Sequence, residues 1–141
     1  MSQDSLRLTV HIDGGSRGNP GPAAAAYVIR DADDDTVVRE AGLYLGKATN
    51  NVAEYRALLA ALEFAAQLKA SQLQIFSDSE LLVRQINGQY RVKNAALKEI
   101  FDRARDLMNG FALVSVDHIP RKENHHADRL VNQPVRAPFR L

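Results

Sequence analysis

The chain has 141 residues, of which 45% are hydrophobic and 25% charged, values typical of an ordinary globular domain. This length accommodates one domain readily and two only with difficulty. Cysteine is absent, which excludes thiolate catalysis and zinc sites built on cysteine, and we expect a reducing, cytoplasmic setting. No apolar stretch approaches the roughly 20 residues that span a bilayer, so no membrane partner is expected. The net charge of +1 gives no overall sign of a nucleic-acid-binding protein.

Three strands are predicted in the first third of the chain. Apolar and polar residues alternate over the first of them, which ends at Asp13 and has the pattern of a half-buried strand. Residues 14–22 hold four glycines and two prolines, which predicts an ordered loop rather than a central strand. An acidic cluster at residues 32–36 predicts a hairpin turn. The three strands are placed at residues 6–12, 23–30 and 37–45.

The rest of the chain alternates helices with strands. Asn51 is predicted to cap the first helix and to pair with Glu54 in a capping-box pattern, and apolar residues then recur at helical spacing to Ala66. Further strands are predicted at residues 73–77 and 111–119, and further helices at residues 79–87, 95–109 and 124–132, the last ended by Pro134. This order predicts a single α/β domain with a mixed sheet and packed helices, its core at residues 6–133 and a tail at 134–141.

Four acidic residues occupy positions where α/β proteins often carry their chemistry. Asp13 and Asp78 follow the first and fourth strands, Glu54 lies early in the first long helix, and Asp128 lies early in the last helix. If strands one and four are parallel neighbours, Asp13 and Asp78 meet at their carboxyl ends. Four carboxylates in one cleft repel one another unless cations neutralise them, and such oxygen ligands suit Mg²⁺ or Mn²⁺.

The sequence around these acids decides between a shared site and four separate structural roles. Each acid alone also fits a turn, a helix cap or a solvated helix face. The segments DGGSRGNPGP, TNNVAE, SDS and HHADRLVN, which contain the four acids, resemble in the same order the four catalytic segments of type 1 ribonuclease H. Together with the order of strands and helices, this resemblance extends over residues 6–132.

The resemblance implies the ribonuclease H fold, a five-stranded mixed sheet flanked by helices with its second and third strands antiparallel. It implies endonucleolytic hydrolysis of the RNA strand of RNA–DNA hybrids, leaving 5′-phosphate and 3′-hydroxyl ends. Asp13, Glu54, Asp78 and Asp128 match the carboxylates that bind two Mg²⁺ ions, for which Mn²⁺ can substitute, and such a pair activates water and stabilises the leaving oxygen. We expect a monomer with some tolerance for double-stranded RNA.

The resemblance also implies contacts with the substrate. Thr49 and Asn94 match a pocket for a phosphate of the DNA strand. Glu80 stands where the family often has glutamine, and helix capping is the alternative role for Asn50 and Asn51. The positions that match readers of RNA 2′-hydroxyls in the minor groove are Gly14, Gly15, Ser16, Asn19, Asn50, Asn51, Ser79 and Glu80.

Two residues compete for a catalytic role in the loop before Asp128. His118 has the spacing of a flexible histidine that assists many family members, although it falls within a predicted strand. Residues 119–124 instead resemble a subgroup with arginine in this loop, which points to Arg121. A guanidinium neutralises phosphate charge but is a poor base, and we favour Arg121 slightly. The adjacent His125 and His126 are expected to face solvent or to flank the substrate.

The chain also resembles the subgroup that lacks a basic helical protrusion. Residues 89–94 lead directly into the next predicted helix, and tryptophan is absent. Six basic residues and two acidic ones between Arg84 and Arg105 partly compensate, because they place positive potential near the expected DNA-strand pocket. Two alternatives stay open: a catalytically silent hybrid-binding module on the same fold, and a nuclease for DNA junctions or double-stranded RNA.

Overall fold

The computed structural model describes residues 6–136, with side chains described as far as residue 133. Five strands form one sheet: β1 (Arg7–Ser16), β2 (Gly21–Asp31), β3 (Val37–Ala48), β4 (Gln72–Ser77) and β5 (Leu113–His118). Four α-helices accompany it: α1 (Asn50–Gln67), α2 (Glu80–Ile86), α3 (Ala95–Met108) and α4 (His125–Arg136). A 3₁₀ turn (Arg121–Glu123) precedes α4.

The sheet has the strand order β3-β2-β1-β4-β5. The pairs β1–β2 and β2–β3 are antiparallel, whereas β1–β4 and β4–β5 are parallel. This confirms the predicted mixed five-stranded sheet, including its antiparallel second and third strands. In the parallel part, Ile12 pairs with Ser77 and Ser77 pairs with His118, so the carboxyl ends of β1, β4 and β5 share one edge.

Helices cover the sheet on both faces. The predicted alternation in β1 is confirmed, because Val10 and Ile12 are fully buried in the main core together with Leu58 and Leu62 of α1. On the opposite face, Val131 of α4 packs against alanines of β2. Residues 23–26 are four consecutive alanines, all fully buried, whose short side chains let helices approach both faces of this strand. The sheet thereby holds the N-terminal turns of α1 and α4 close to one edge.

The prediction of a loop over residues 14–22 is wrong at both ends. β1 continues to Ser16 and β2 begins at Gly21, and Gly14 pairs with Ala25 while Gly15 pairs with Ala24. Glycine retains both backbone hydrogen-bonding groups, so it can extend a strand wherever close packing leaves no room for a side chain. The loop is therefore shorter than its composition indicates.

Two predicted helix ends are also wrong. Thr49, not Asn51, caps α1, since its hydroxyl oxygen accepts the Val52 N–H at 3.2 Å. α4 continues through Pro134 to Arg136, because a proline removes one backbone donor from a helix and weakens it without always ending it. The predicted core boundary at residue 133 thus falls inside α4, and residues 137–141 of the predicted tail lie outside the described residues.

The connection between α2 and α3 contains no further helix over residues 87–94, in line with the predicted absence of a helical insertion there. None of the helices described over residues 6–136 is long and apolar enough to cross a membrane.

Gly14 marks the closest approach of β1 to α1. A Cβ at this position would lie 2.4 Å from the carbonyl carbon of Ala53 and 2.5 Å from the backbone nitrogen of Glu54. We expect Gly14→Ala to lower the free energy of unfolding by about 3 kcal/mol, because neither backbone can yield without moving α1. Urea unfolding followed by circular dichroism measures this loss.

Gly15→Ala is the matched control for this change. Its Cβ would meet the Val131 Cγ1 at 3.8 Å, an ordinary van der Waals contact, and we expect a loss below about 1 kcal/mol. Equal losses in the two variants would contradict the proposed contact between β1 and α1.

Candidate active site

The edge formed by the carboxyl ends of β1 and β4 carries the predicted acidic residues. Ile12 of β1 pairs with Ser77 of β4, and the next residue in each strand direction is an acid: Asp13 after Ile12 and Asp78 after Ser77. Glu54 arrives from the second turn of α1 and Asp128 from the first turn of α4. Asp13, Glu54 and Asp128 line one cavity of about 340 Å³, hereafter the carboxylate cavity. Asp78 lies close enough to Asp13 to raise its pKa, so the structure brings all four acids together.

Burial and mutual repulsion keep two of these acids protonated at pH values well above those at which an ordinary carboxyl group loses its proton. Asp13 is only 8% exposed. Burial is the largest cause that raises the pKa of Asp13 to about 8; the neighbouring Asp78 and Asp128 contribute to this rise, and the Gly14 N–H donating to Oδ1 at 2.9 Å opposes it. Burial likewise raises the pKa of Glu54 to about 7, against the lowering effects of a Ser79 hydrogen bond and the Arg121 charge.

Such a group of carboxylates fits divalent cations. Buried acids with raised pKa values become fully charged only when positive charge reaches them, and carboxylate oxygens are the ligands that Mg²⁺ and Mn²⁺ prefer. Among residues 6–136, no three acidic or histidine side chains are grouped tightly enough to enclose a single ion.

Asn124 joins three parts of this site, although the sequence analysis did not single it out. The side chain is 1% exposed, and its Nδ2 donates to the Ile12 carbonyl at 2.8 Å and to Asp78 Oδ2 at 3.3 Å. Its backbone carbonyl accepts the Asp128 N–H at 3.0 Å. Asn124 therefore fixes Asp78 and the start of α4 against the end of β1. An asparagine just before a helix was the available signal, but it indicates a cap, and this side chain points into the sheet instead.

The predicted substrate residues of the glycine-rich segment are tied to the start of α1. Asn50 Oδ1 accepts the Ser16 N–H at 2.8 Å, and Asn19 Oδ1 accepts the Asn50 N–H at 3.0 Å. Gly14, Gly15, Ser16 and Asn50 all line the carboxylate cavity. With the acceptor oxygens of Asn19 and Asn50 engaged, each side chain offers a ligand chiefly its NH₂ donor.

A second cavity, of about 630 Å³, lies where the N-termini of α1 and α3 meet, and we call it the α1–α3 cavity. Thr49 caps α1, and Asn94 caps α3 by accepting the Leu97 N–H at 2.9 Å. Lys47 and Asn51 also line the cavity. Because helix N-termini carry partial positive charge, two of them beside a lysine favour an anion. The structure therefore brings the two residues predicted for a phosphate pocket together.

Ser79 and Glu80 make contacts inside the protein. Ser79 caps α2, where its hydroxyl oxygen accepts the Leu82 N–H at 3.2 Å, and it also hydrogen-bonds to the Glu54 carboxylate. Glu80 forms an ion pair with Arg84 at 2.8 Å and lines neither of the two cavities. Ser79 thus belongs to the carboxylate group, whereas Glu80 is engaged on the surface of α2.

The structure distinguishes between Arg121 and His118, the two residues considered for a catalytic role in the loop before Asp128. Arg121 lines the carboxylate cavity and lowers the pKa of Glu54, whereas His118 is an exposed residue at the end of β5 that does not line it. Of the two adjacent histidines, His125 is exposed, whereas the ring of the half-buried His126 contacts Arg30 Nη2 at 2.7 Å and Glu40 Oε1 at 2.8 Å. α4 crosses β2 and β3, and this places His126 over the sheet.

Comparisons with known proteins agree with this site. The family described as "Reverse transcriptase-like" matches residues 11–134. Ribonuclease HI of Halobacterium salinarum is 42% identical over 92% of this chain and 64% of its own length. The solved N-terminal RNase H domain of Rv2228c from Mycobacterium tuberculosis, a fusion with maltose-binding protein, is 40% identical with a TM-score of 0.92 over 96% of this chain and 98% of that one. LC11-RNase H1, solved in complex with an RNA/DNA hybrid, is 41% identical with a TM-score of 0.81 over 89% of this chain and 94% of that one. The chain spans 36% of the length of the first curated relatives.

Asp13→Asn tests the energetic cost of gathering the acids. A carboxyl whose pKa rises from 3.8 to about 8 on folding contributes stability below pH 3.8 and loses it as the pH rises through 8. We therefore expect the metal-free protein to lose stability between about pH 5 and pH 8, and Asp13→Asn to be more stable than the wild type at pH 8 by about 1–3 kcal/mol. Thermal unfolding in the presence of a chelator measures both effects.

Asp106→Asn supplies the control, because Asp106 is an exposed acid on α3 that lines neither the carboxylate cavity nor the α1–α3 cavity. It removes the same charge without touching the site and should follow the wild type. The raised pKa of Asp13 is disproved if all three proteins show one common dependence on pH.

Proposed function

The chain belongs to the type 1 ribonuclease H family, and on that premise we propose that it is an endonuclease that hydrolyses the RNA strand of RNA–DNA hybrids. The products are a 5′-phosphate and a 3′-hydroxyl. The observation that carries the proposal is the convergence of Asp13, Glu54, Asp78 and Asp128 at one edge of the sheet. The hybrid bound to the similar LC11-RNase H1 supports the substrate class.

The proposed cofactor is Mg²⁺, with the four carboxylates as its protein ligands and Mn²⁺ as a substitute. Held by these carboxylates, two such ions would supply the activation of water and the stabilisation of the leaving 3′ oxygen that hydrolysis of a phosphodiester needs. The chain's own contribution is to hold the carboxylates in place: the Gly14 N–H orients Asp13, Asn124 orients Asp78, and Ser79 orients Glu54. Because these contacts come from strand ends and helix starts, little rearrangement is needed when cations bind.

Recognition of the RNA strand follows from the groups that flank the carboxylates. A protein distinguishes RNA from DNA by its 2′-hydroxyls, which lie in the wide minor groove of the hybrid. The NH₂ donors of Asn19 and Asn50 suit a hydroxyl oxygen, and the backbone of Gly14, Gly15 and Ser16 lies beside them. The hydrogen bonds that hold both asparagines fix the direction of these donors before the substrate arrives.

The α1–α3 cavity suits a phosphate of the DNA strand. Its helix N-termini and Lys47 favour an anion, and the Thr49 hydroxyl and the Asn94 NH₂ group are donors at its wall. Asn50 lines both this cavity and the carboxylate cavity. A duplex that places one strand in each cavity therefore crosses the protein at Asn50.

Cleavage of matched duplexes tests the proposed function. We expect Mg²⁺-dependent cleavage of a labelled RNA–DNA hybrid, slower cleavage of double-stranded RNA, and none of double-stranded DNA. Asp13→Asn should fold normally and lose at least about a hundredfold in rate, because the carboxylate at the centre of the site no longer binds cations. Gel analysis of the labelled products, with Mg²⁺, Mn²⁺ or a chelator, provides the rates and the end groups.

Asp106→Asn again serves as the control and should cleave at the wild-type rate. Tight binding of the hybrid without cleavage in any metal would identify a silent hybrid-binding module instead. A rate for Asp13→Asn close to that of the wild type would disprove the assignment of the site.

The catalytic role of Arg121 is tested against that of His118. We expect Arg121→Ala to lower the rate roughly tenfold, since the cation that lines the carboxylate cavity is lost, and Arg121→Lys to recover part of the loss. The guanidinium itself does not titrate in the accessible range, so the only change expected in the pH–rate profile is a small shift to higher pH, because the Arg121 charge no longer lowers the pKa of Glu54. His118→Ala should cleave within about twofold of the wild type. A large loss in His118→Ala with an altered pH profile would assign the role to the histidine.

A further inference from the structure

A groove continues from the carboxylate cavity on the side away from the α1–α3 cavity. Its lining residues are Arg17, His125, Asp128, Arg129, Asn132 and Gln133. It shares Arg17, Asp128 and Asn132 with the carboxylate cavity. It shares no residue with the α1–α3 cavity, which meets the carboxylate cavity at Asn50. The three spaces therefore follow one another across the surface, with the carboxylates in the middle. We call this third space the arginine groove.

The two arginines of this groove are exposed and unengaged. Within the side chains described as far as residue 133, neither Arg17 nor Arg129 has an ion pair or a side-chain hydrogen bond. Other arginines of the surface pair with acids: Arg7 with Asp33, Arg84 with Glu80 and Arg103 with Glu63. The guanidinium groups of Arg17 and Arg129 thus remain available for an anion that arrives from solution.

The two arginines lie where a ligand would pass from the carboxylates into the groove. Arg17 lines both the carboxylate cavity and the arginine groove, whereas Arg129 lines the groove alone. Their charges therefore act on a ligand at the junction of the two spaces and on its continuation into the groove.

Both arginines are attached to well-anchored backbone. The Arg17 N–H donates to the Pro22 carbonyl at 2.8 Å, and the preceding Ser16 N–H donates to Asn50 Oδ1 at 2.8 Å. Arg129 lies on the outer side of α4, whose inner side packs on β2 through Val131. The backbone positions from which both arginines reach into the groove are therefore fixed relative to Asp128.

We propose that the arginine groove binds the RNA backbone next to the cleavage point, with Arg17 and Arg129 on phosphates adjacent to the scissile one. The inference rests on the proposed function. When the DNA strand occupies the α1–α3 cavity and the scissile phosphate lies over the carboxylates, the strand that continues into the far groove is the RNA. Guanidinium groups match phosphate oxygens in a two-pronged hydrogen-bonded geometry, and His125 on the same helix face adds a third donor.

The first test replaces both cations in the double variant Arg17→Gln/Arg129→Gln. We expect KM for a hybrid to rise roughly five- to tenfold at moderate salt, with a much smaller effect on kcat. The slope of log KM against log salt concentration should fall by about 1.5, as expected for the loss of two phosphate contacts. Lys69→Gln is the control, because Lys69 is an exposed cation beyond the far end of α1 and lines none of the three spaces.

The second test identifies the strand. Hybrids are made with a neutral methylphosphonate linkage beside the single cleavable position, either in the RNA strand or at the facing step of the DNA strand. In the wild type, the neutral RNA linkage should raise KM several-fold, whereas in the double variant it should have little further effect. The neutral DNA linkage should raise KM by the same factor in both proteins, since it removes no contact with the arginines.

These experiments distinguish a failure of the arginine-groove proposal from a failure of the proposed function. If the wild type cleaves hybrids but the double variant keeps its KM and salt slope, the arginine groove is disproved and the nuclease stands. Equal effects of the neutral RNA linkage in both proteins, or a loss confined to kcat, would also disprove it. If the wild type cleaves no hybrid in any metal, the proposed function itself fails.

Discussion

The close contact between β1 and α1 is the constraint on which the rest of the site depends. At Gly14 the backbone of the strand meets the backbone of the helix with no space for a side chain, and this contact fixes Glu54 beside the end of β1. Asp13 is thereby buried among other acids, and its pKa rises to about 8. Gathering the acids at one edge of the sheet costs free energy, and hydrophobic packing in the rest of the fold offsets this cost.

Two features hold the four acids in place against their mutual electrostatic repulsion. The fully buried alanines of β2 let helices approach both faces of the sheet, and Asn124 ties Asp78 and the start of α4 to the Ile12 carbonyl. Cations are placed around the acids rather than among them, with Arg121 at the wall of the carboxylate cavity and Arg17 and Arg129 in the groove beyond it. The net charge of +1 averages over this separation of acids and cations, so it does not exclude nucleic-acid binding.

The parts of the fold that were predictable from sequence follow from the spacing of apolar residues and from the turn-forming and helix-capping residues between elements. The alternation in β1 identified its buried face, and the order of elements indicated the mixed sheet. The acids were recognisable only as a set, through the segments around them, because Asp13 or Glu54 alone also fits a turn or a helix cap. Asp13 and Asp78 could be placed together because parallel neighbouring strands end at one edge.

What could not be predicted depends on tertiary contacts. Gly14 and Gly15 extend β1 because α1 packs against the strand, whereas their composition alone indicates a loop. Thr49 rather than Asn51 caps α1, a choice between adjacent residues that are both able to cap. Asn124 and His126 direct their side chains to the sheet and to charged partners far away in sequence, and no local pattern reports such partners.

If the four acids form one site, divalent cations displace the protons of its buried carboxyl groups. Calorimetric titration of the metal-free protein with Mg²⁺ at pH 7, repeated in buffers of different ionisation enthalpy, counts the protons released on binding. Because the pKa values of Asp13 and Glu54 are raised to about 8 and about 7, we expect the wild type to release about 1.4 protons at pH 7 and Asp13→Asn about 0.5, the part that comes from Glu54. Mg²⁺ binding without proton release, or identical release in both proteins, would contradict this expectation.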